Sequence, residues 1–424
     1  MDSKPEDSER KINTVLGMLP KSYFFEKGKG ILGYEHIVQN LSKEANELDD
    51  HSYLFGAQIE LKYLSLIMKN PFSNLQNTIL DDEPAILAHE VEQIRDHACG
   101  IVDVSNNMKS QNGLKLQKIS KLSKIDIICG CSADTSLISE DKTLETNIQL
   151  ITNEMDFIIC HGIDDVRPGF LGELIIPDET LSQENHIILK SFCILNEKHG
   201  IPIYVTLKKP SSNLFLEIKR LLESYNVSPS SALITLSENP LGSTFESLLL
   251  TMGFNVNIPT YWCQYTPFSS ELLGLIINFL GFALAAEQES KIKEENKEQD
   301  ISNAFLTKVI ISNGFNFKTQ LTTYGGMGYC NLYEFYYNSI KQGLLEKGFD
   351  KQAVLNALNR VFAQNVLDLL CWAKEKEEII APVEQVPCQI CGKTGEKEMF
   401  FQKHHFWYCS TKCIGKHRAQ GFKP

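Results

Sequence analysis

Seven short runs dominated by Ile, Val and Leu recur along the first three quarters of the chain, and their spacing constrains the fold more than any other feature. They are "GIVDVS" (100–105), "IDIICG" (125–130), "FLGELII" (170–176), "IPIYVT" (201–206), "SALITLS" (231–237), "FNVNIPT" (254–260) and "TKVIISN" (307–313). Each is continuously apolar rather than alternating, as a strand covered on both faces must be. The intervening segments carry helical periodicity. "LSQENHIILKSFCILNEKHG" (181–200) has apolar residues three to four apart and a stop signal at Gly200, and "NLFLEIKRLLESYN" (213–226) repeats the pattern. An eighth strand precedes these in "GILGYEH" (30–36), ending on Tyr34, Glu35 and His36.

Eight strands alternating with helices over roughly 340 residues are the bookkeeping of an α/β (β/α)8 TIM barrel. The rival, a doubly wound open sheet, lacks its Gly-rich phosphate loop after an early strand. The expected domains are a disordered N-terminus (1–10), a barrel (11–372), a linker (373–387) closed by two prolines, and a C-terminal module (388–424). The charge run "EQESKIKEENKEQD" (287–300) reads as a solvated loop. "ELLGLIINFLGFALAAE" (271–287) reads as a buried helix rather than a membrane span, because it carries Asn278 and is short.

Charge and cysteine usage narrow the function. A formal net charge of −12 over 424 residues argues against general nucleic-acid binding but leaves room for a local basic module. The charged start "MDSKPEDSERK" has no apolar core, which predicts no secretory signal and a cytoplasmic or nuclear location. Twelve cysteines in such a chain are expected as thiols. Eight are scattered between Cys99 and Cys371, in apolar runs where free cysteine acts as a small hydrophobe. Cys129, Cys131, Cys160 and His161 would also suit a thiolate metal site, with core packing the simpler reading.

At the strand ends the sequence resembles the phosphotriesterase-related branch of the amidohydrolase superfamily. The likeness runs through "TVLGMLP" (14–20), "GILGYEH", "ACGIVDVS" (98–105), "GFLGELI" (169–175), "HGIPIYVT" and "YGGMGY" (324–329), in consistent order over residues 11–372. It implies a barrel whose C-terminal mouth holds two divalent metals. Their ligands would come from His-x-His on strand 1, a carboxylate or modified lysine on strand 4, histidines on strands 5 and 6, and an aspartate on strand 8. Residues i and i+2 of a strand face one side, so such a histidine pair points inward together. Carried over, the positions become Tyr34 and His36, Glu173, Thr206, Leu236 in "TLSE", and Gly314 in "NGFNFK", where Lys318 remains.

Leucine and glycine side chains cannot ligate, threonine is a poor neutral ligand, and tyrosine must first lose a proton held to about pH 10. Two of six positions survive, which predicts that the binuclear centre is gone and that Tyr34, His36 and Glu173 form a vestigial site. His36 then reads as a hydrogen-bonded inner-barrel histidine. Glu173 needs a partner, which His36 or Tyr34 can supply. A metal-free pocket for a small molecule remains open, as does a divergent hydrolase acting on a small ester or amide.

The tail has its own metal signature. Cys388 and Cys391 form CxxC, and Cys409 and Cys413 form CxxxC after seventeen residues. Two thiolate pairs so spaced suit one tetrahedral structural zinc, which would supply much of the folding free energy of so small a module. "YCSTKC" resembles the second half of MYND- and HIT-type fingers, which implies a protein partner. His417 reads as an exposed residue of a basic helix rather than a ligand, and His404 and His405 as weaker substitutes. Lys403, Lys412, Lys416, Arg418 and Lys423 make the tail basic, which invites a nucleic-acid reading; the resemblance to protein-binding fingers makes nucleic acid the less favoured partner.

Overall fold

The structure is a computed structural model and describes residues 10–105, 112–237, 244–260, 270–292, 301–374, 385–396, 400–403 and 406–421. His404, His405, Lys423 and residues 293–300 of the charge run therefore lie outside the described residues. The chain divides into two compact units, Met1–Lys374 and Glu375–Pro424.

The first unit is built on eight parallel strands: β1 (Gly30–Glu35), β2 (Ala98–Asp103), β3 (Asp126–Cys131), β4 (Phe170–Ile176), β5 (Ile203–Leu207), β6 (Ala232–Leu236), β7 (Asn255–Pro259) and β8 (Val309–Ser312). They pair in chain order, and β8 lies beside β1 without a backbone ladder, so the barrel is nearly closed. All seven apolar runs and the "GYEH" strand form barrel strands.

Their buried faces separate into two cores. Ile31, Val102, Ile128, Phe170, Tyr204, Leu233 and Ile310 fill the barrel interior, with Phe170 and Tyr204 stacked at 4.1 Å. Alternate residues such as Leu32, Ile101, Val205 and Ile234 pack outward against the helix layer. This double burial is why the strands read as unbroken apolar runs.

Three of the outer helices start where a hydroxyl caps them. Thr143, Ser182 and Ser211 accept from the amides of Thr146, Asn185 and Leu214, opening the helices Leu144–His161, Gln183–His199 and Ser212–Ser224. Gly200 closes the second of these in the left-handed conformation.

Several boundaries differ from expectation. Arg10 and Lys11 pair with Lys374 and Ala373, and an antiparallel hairpin joins Arg10–Thr14 to Gly17–Pro20. The barrel unit thus begins by Arg10 and includes 373–374, which the sequence assigns to the linker. The helix Ser270–Ile292 extends into the charge run. It is also less buried than expected, since only one third of Glu271–Gln288 is buried and Phe282 is 68% exposed. By length and composition this segment is apolar enough to cross a membrane. In the barrel it packs along one stripe against the helices Ile301–Lys308 and Asn338–Glu346.

Candidate functional site

The sites of interest are the C-terminal mouth of the barrel and the cysteine cluster of the tail. At the mouth, strand parity decides which side chains face the cavity. On β1 Tyr34 points inward, and on β5 Tyr204 and Thr206 do. On β6 Leu233 and Thr235 face inward while Ile234 and Leu236 pack into the outer core. This corrects the placement of Leu236 at a ligand position. The mouth-facing residues of that strand end are Thr235 and Ser237, neither a histidine.

The inward groups form one hydrogen-bonded arc across the mouth. The Tyr34 hydroxyl donates to Glu173 Oε1 and lies 2.8 Å from Thr206 Oγ1. Thr235 also bonds the Tyr34 hydroxyl and accepts from Asn257 Nδ2 at 3.3 Å. Ser312 Oγ donates to Asn257 Oδ1 at 2.9 Å. His36 places Nε2 3.5 Å from Glu173 Oε2 and Nδ1 2.6 Å from the Phe315 carbonyl. Glu173 reaches this position because Gly172 adopts φ +117°, where a Cβ would stand 2.4 Å from the Tyr204 carbonyl.

The electrostatics follow from burial and these partners. Burial alone would raise Glu173, but His36, Thr206 and Tyr34 outweigh it and hold the carboxylate below its ordinary range. Burial would lower His36, yet Glu173, Asp103 and the Phe315 carbonyl bring it above its usual value. Burial and the Glu173 charge drive Tyr34 well above 10, so it stays a phenol. A neutral phenol, two threonines, a serine and one His–Glu pair do not make a donor set for two divalent cations. Among the described residues, no group of three converging His, Cys, Asp or Glu ligands lies at the mouth.

The residue missed in the sequence is Glu35, the middle of "YEH". Its buried carboxylate accepts from the amides of Asn313, Gly314 and Phe315 at 2.7, 3.1 and 3.4 Å. It thereby bridges β1 to the end of β8, where the strands share no ladder. Gly314 therefore contributes its backbone amide to this seam. Desolvation lifts Glu35 to about 8, against the pull of those amides and of His36. Asp103 plays the same part next door, accepting from the Ile37 amide at 2.8 Å and the Ser105 hydroxyl at 2.6 Å. A carboxylate at the end of an apolar strand must find such partners, and that was the available signal. Lys318 is an ion pair with Asp82, both largely buried.

Over the arc lies a cavity of about 210 Å³. Its floor is Tyr34, His36, Glu173 and Thr206. Leu41, Phe72, Ile175 and Phe317 supply apolar wall, and Glu44 with Lys208 forms a 3.4 Å ion pair among the lining residues.

The cysteines suggested as a barrel thiolate site do not come together. Cys129 and Cys131 pack in the outer core, and burial drives both thiols up, Cys131 to about 12. Cys160 groups instead with Asp156 and His199. Lys198 occupies both Asp156 oxygens there, at 2.7 and 2.8 Å, where a cation would otherwise sit.

In the second unit, strands Gln385–Pro387 and Thr394–Glu396 pair around the CxxC turn. A second hairpin, Phe401–Lys403 with Phe406–Tyr408, leads into the helix Thr411–Ala419. The ligand atoms of Cys388, Cys391, Cys409 and Cys413 all lie within 4.8 Å of one another. Cys391–Cys409 and Cys409–Cys413 sulfur distances are 3.4 and 3.7 Å. A zinc tetrahedron with ~2.3 Å bonds has edges of about 3.8 Å, so the cluster fits the ion. Burial opposes ionisation of Cys388, but amides of Cys391, Cys409 and Ile390 aim at its sulfur and bring it down to about 6. Hydrogen bonding to Cys391, then burial, pushes Cys409 up to about 12. At this spacing the four sulfurs can all ionise only around a cation.

His417 is not exposed, as its basic neighbours suggested. It is 1% accessible, its Nδ1 is 2.8 Å from the Tyr408 hydroxyl, and its ring meets Phe406 at 5.0 Å. It belongs to the module's small core.

Residues 383–424 match the family model described as the Vms1-associating treble clef domain. The barrel is similar to N-acetyltaurine hydrolase of Danio rerio, 20% identical over 84% of this chain and 96% of that protein. It is also similar to a phosphotriesterase-related protein of Nematostella vectensis, 24% identical over 81% and 96%. A resiniferatoxin-binding protein from Rhodobacter sphaeroides shares the fold, with TM-score 0.65 and 20% identity over 85% of this chain and 94% of that one. The chain is thus a (β/α)8 barrel similar to phosphotriesterase-related proteins, followed by a treble-clef module.

Proposed function

We propose that this chain is a pseudoenzyme: a metal-free phosphotriesterase-like barrel that binds a small molecule at its mouth, joined to a one-zinc module that docks a protein partner. The observation that carries the reading is the Tyr34 hydroxyl, seated between Glu173 and Thr206 where metal ligation would need an imidazole and a free carboxylate. Glu173 is already spent on Tyr34 and His36, and the residues at the remaining positions have no competent donor.

The competing reading, a divergent hydrolase with one metal, is supported by the relatives' names and by the retained His36–Glu173 pair. Metal counting on the full chain and on Cys391→Ser separates the two. One zinc per full-length chain and none in the variant is expected. A full equivalent of zinc or manganese in the variant would overturn the pseudoenzyme reading.

For the tail, the description of the matching family supports a protein partner, with Vms1 the first candidate, over the nucleic acid that its basic helix would also suit. Binding of immobilised Vms1 that disappears with Cys391→Ser is expected. Retention of DNA or RNA instead would reverse the assignment. The cysteine usage of the chain supports a reducing compartment, cytoplasm or nucleus.

A further inference from the structure

We infer that the helix Thr411–Ala419 of the tail module docks an acidic α-helix of its partner, one that carries carboxylates a turn apart. This rests on the protein-partner reading of the tail and names the chemistry of the surface it meets.

Positive charge is concentrated here in a chain that is negative as a whole. Residues 388–424 hold seven Lys and Arg against two Glu, where the full chain has a net charge of −12. Three of the seven, Lys412, Lys416 and Arg418, lie on the helix, and all three are exposed. Among the described residues none of the three is in an ion pair. Glu396 is the only carboxylate among the described residues of this unit.

Helix stability accounts for two of these charges and not for the third. Lys416 and Arg418 sit in the last turn, where a cation complements the helix dipole. Lys412 sits in the first turn, next to unpaired amides that repel a cation, and no acidic residue of that turn offsets it. Helix formation gains nothing from a lysine there, but an anionic partner does. Residues four apart share a helix face, so Lys412 and Lys416 project together, about 6 Å apart along the axis. Glutamates four apart on a partner helix repeat at the same interval.

The rest of the face favours a helix over nucleic acid. Gly415 lies between the two lysines with open space where a Cβ would stand, so a partner backbone can come close. The one ring on the helix, His417, is 1% accessible and packs on Phe406 and Tyr408. No exposed ring of the helix can therefore stack a base.

The test uses the full-length, zinc-loaded protein and three labelled probes, read by fluorescence anisotropy. They are an Ala-rich helical peptide with glutamates four residues apart, the same peptide with glutamines, and an oligo(U) RNA matching the first in charge. Saturable, salt-sensitive binding of the glutamate peptide is expected, with the other two at least about tenfold weaker. Lys412→Glu and Lys416→Glu should each weaken the glutamate peptide about tenfold, because each turns an attraction into a repulsion. Lys412→Glu puts an acid where the dipole favours one, so its loss of binding cannot be put down to a damaged helix. Both variants should keep one zinc per chain. Equal binding of the two peptides, no saturable binding, or indifference to both reversals would overturn the inference. Loss of zinc from Lys412→Glu would also overturn it, by assigning that lysine to the neighbouring thiolate of Cys413. Preference for oligo(U) would sink the protein-partner reading as well. Immobilised Vms1 separates the two: retention that ignores both reversals sinks only the acidic helix, and no retention by a protein that binds the glutamate peptide sinks only Vms1 as the partner.

Discussion

Tyr34→Phe removes one oxygen atom and tests whether the mouth is held by hydrogen bonds rather than kept open for ligands. The lost hydroxyl donates to the buried carboxylate of Glu173 and pairs with Thr206. Glu173 stays charged beside His36, so what disappears is a hydrogen bond to an ionised group, worth about 1.5–3 kcal/mol. The barrel unit has 374 residues, and at about 2.1 cal/mol/K per residue its unfolding entropy is near 0.8 kcal/mol/K. The expected fall in Tm is therefore about 2–4 °C, small but well within reach of calorimetry. The sharper test is a double-mutant cycle. In a Glu173→Gln background the acceptor is neutral, and Tyr34→Phe should cost about 1 kcal/mol less. A Tyr34→Phe protein that melts with wild type, or one whose loss is identical in both backgrounds, would refute the arc as described.

Three further outcomes follow from the geometry. Glu35, His36 and Asp103 all bind protons more tightly folded than unfolded, so barrel stability should fall as pH rises, through the window from about 4.5 to 8 for Glu35 and above 6.5 for His36. Glu35→Gln keeps an acceptor for the β8 amides and should flatten that slope in urea titrations. A wild-type stability that climbs over the window would show the assignment wrong. Cys391→Ser should lose the zinc and the tail's amide dispersion while leaving the barrel's melting transition in place, since the units are separately compact. His417→Ala should keep one zinc per chain yet release it at lower chelator concentration, because it removes a buried partner of Tyr408, worth about 1–3 kcal/mol. Complete loss of zinc would make His417 a ligand.

The barrel was legible because a strand buried on both faces leaves an unbroken apolar run, and eight of these in order allow few folds. What sequence could not settle is what depends on parity and pairing. Leu236 and Ser237 differ by one position, and a one-residue slip turns a side chain from the cavity to the helix layer. The pairing of 373–374 with the N-terminal hairpin involves residues over 350 apart, with no local pattern to announce it. His417 was misjudged through its neighbours Lys416 and Arg418. Its spacing of four from Cys413 places both on one helix face, so the inward reading was available. Glu35 hid between two more conspicuous residues.

If the mouth is metal-free as proposed, the backbone itself opposes a return of the metal site, and this gives a prediction about reversal. Tyr34→His restores one imidazole, but Thr206, Thr235 and Ser237 still offer no nitrogen or carboxylate. Restoring the strand-8 aspartate at Gly314 meets a steric barrier. Gly314 sits at φ +73°, and a Cβ there would stand 2.8 Å from the Pro259 Cβ. Aspartate tolerates the left-handed region better than most residues, at a cost of roughly 1 kcal/mol, but the Pro259 ring must also move. That movement pulls on the loop whose amides Glu35 holds. Tyr34→His with Gly314→Asp should therefore destabilise the barrel beyond the sum of the single changes and still bind no stoichiometric zinc or manganese. Recovery of a full metal equivalent by these two substitutions would mean that the remaining positions do supply donors and that the mouth is a dormant centre.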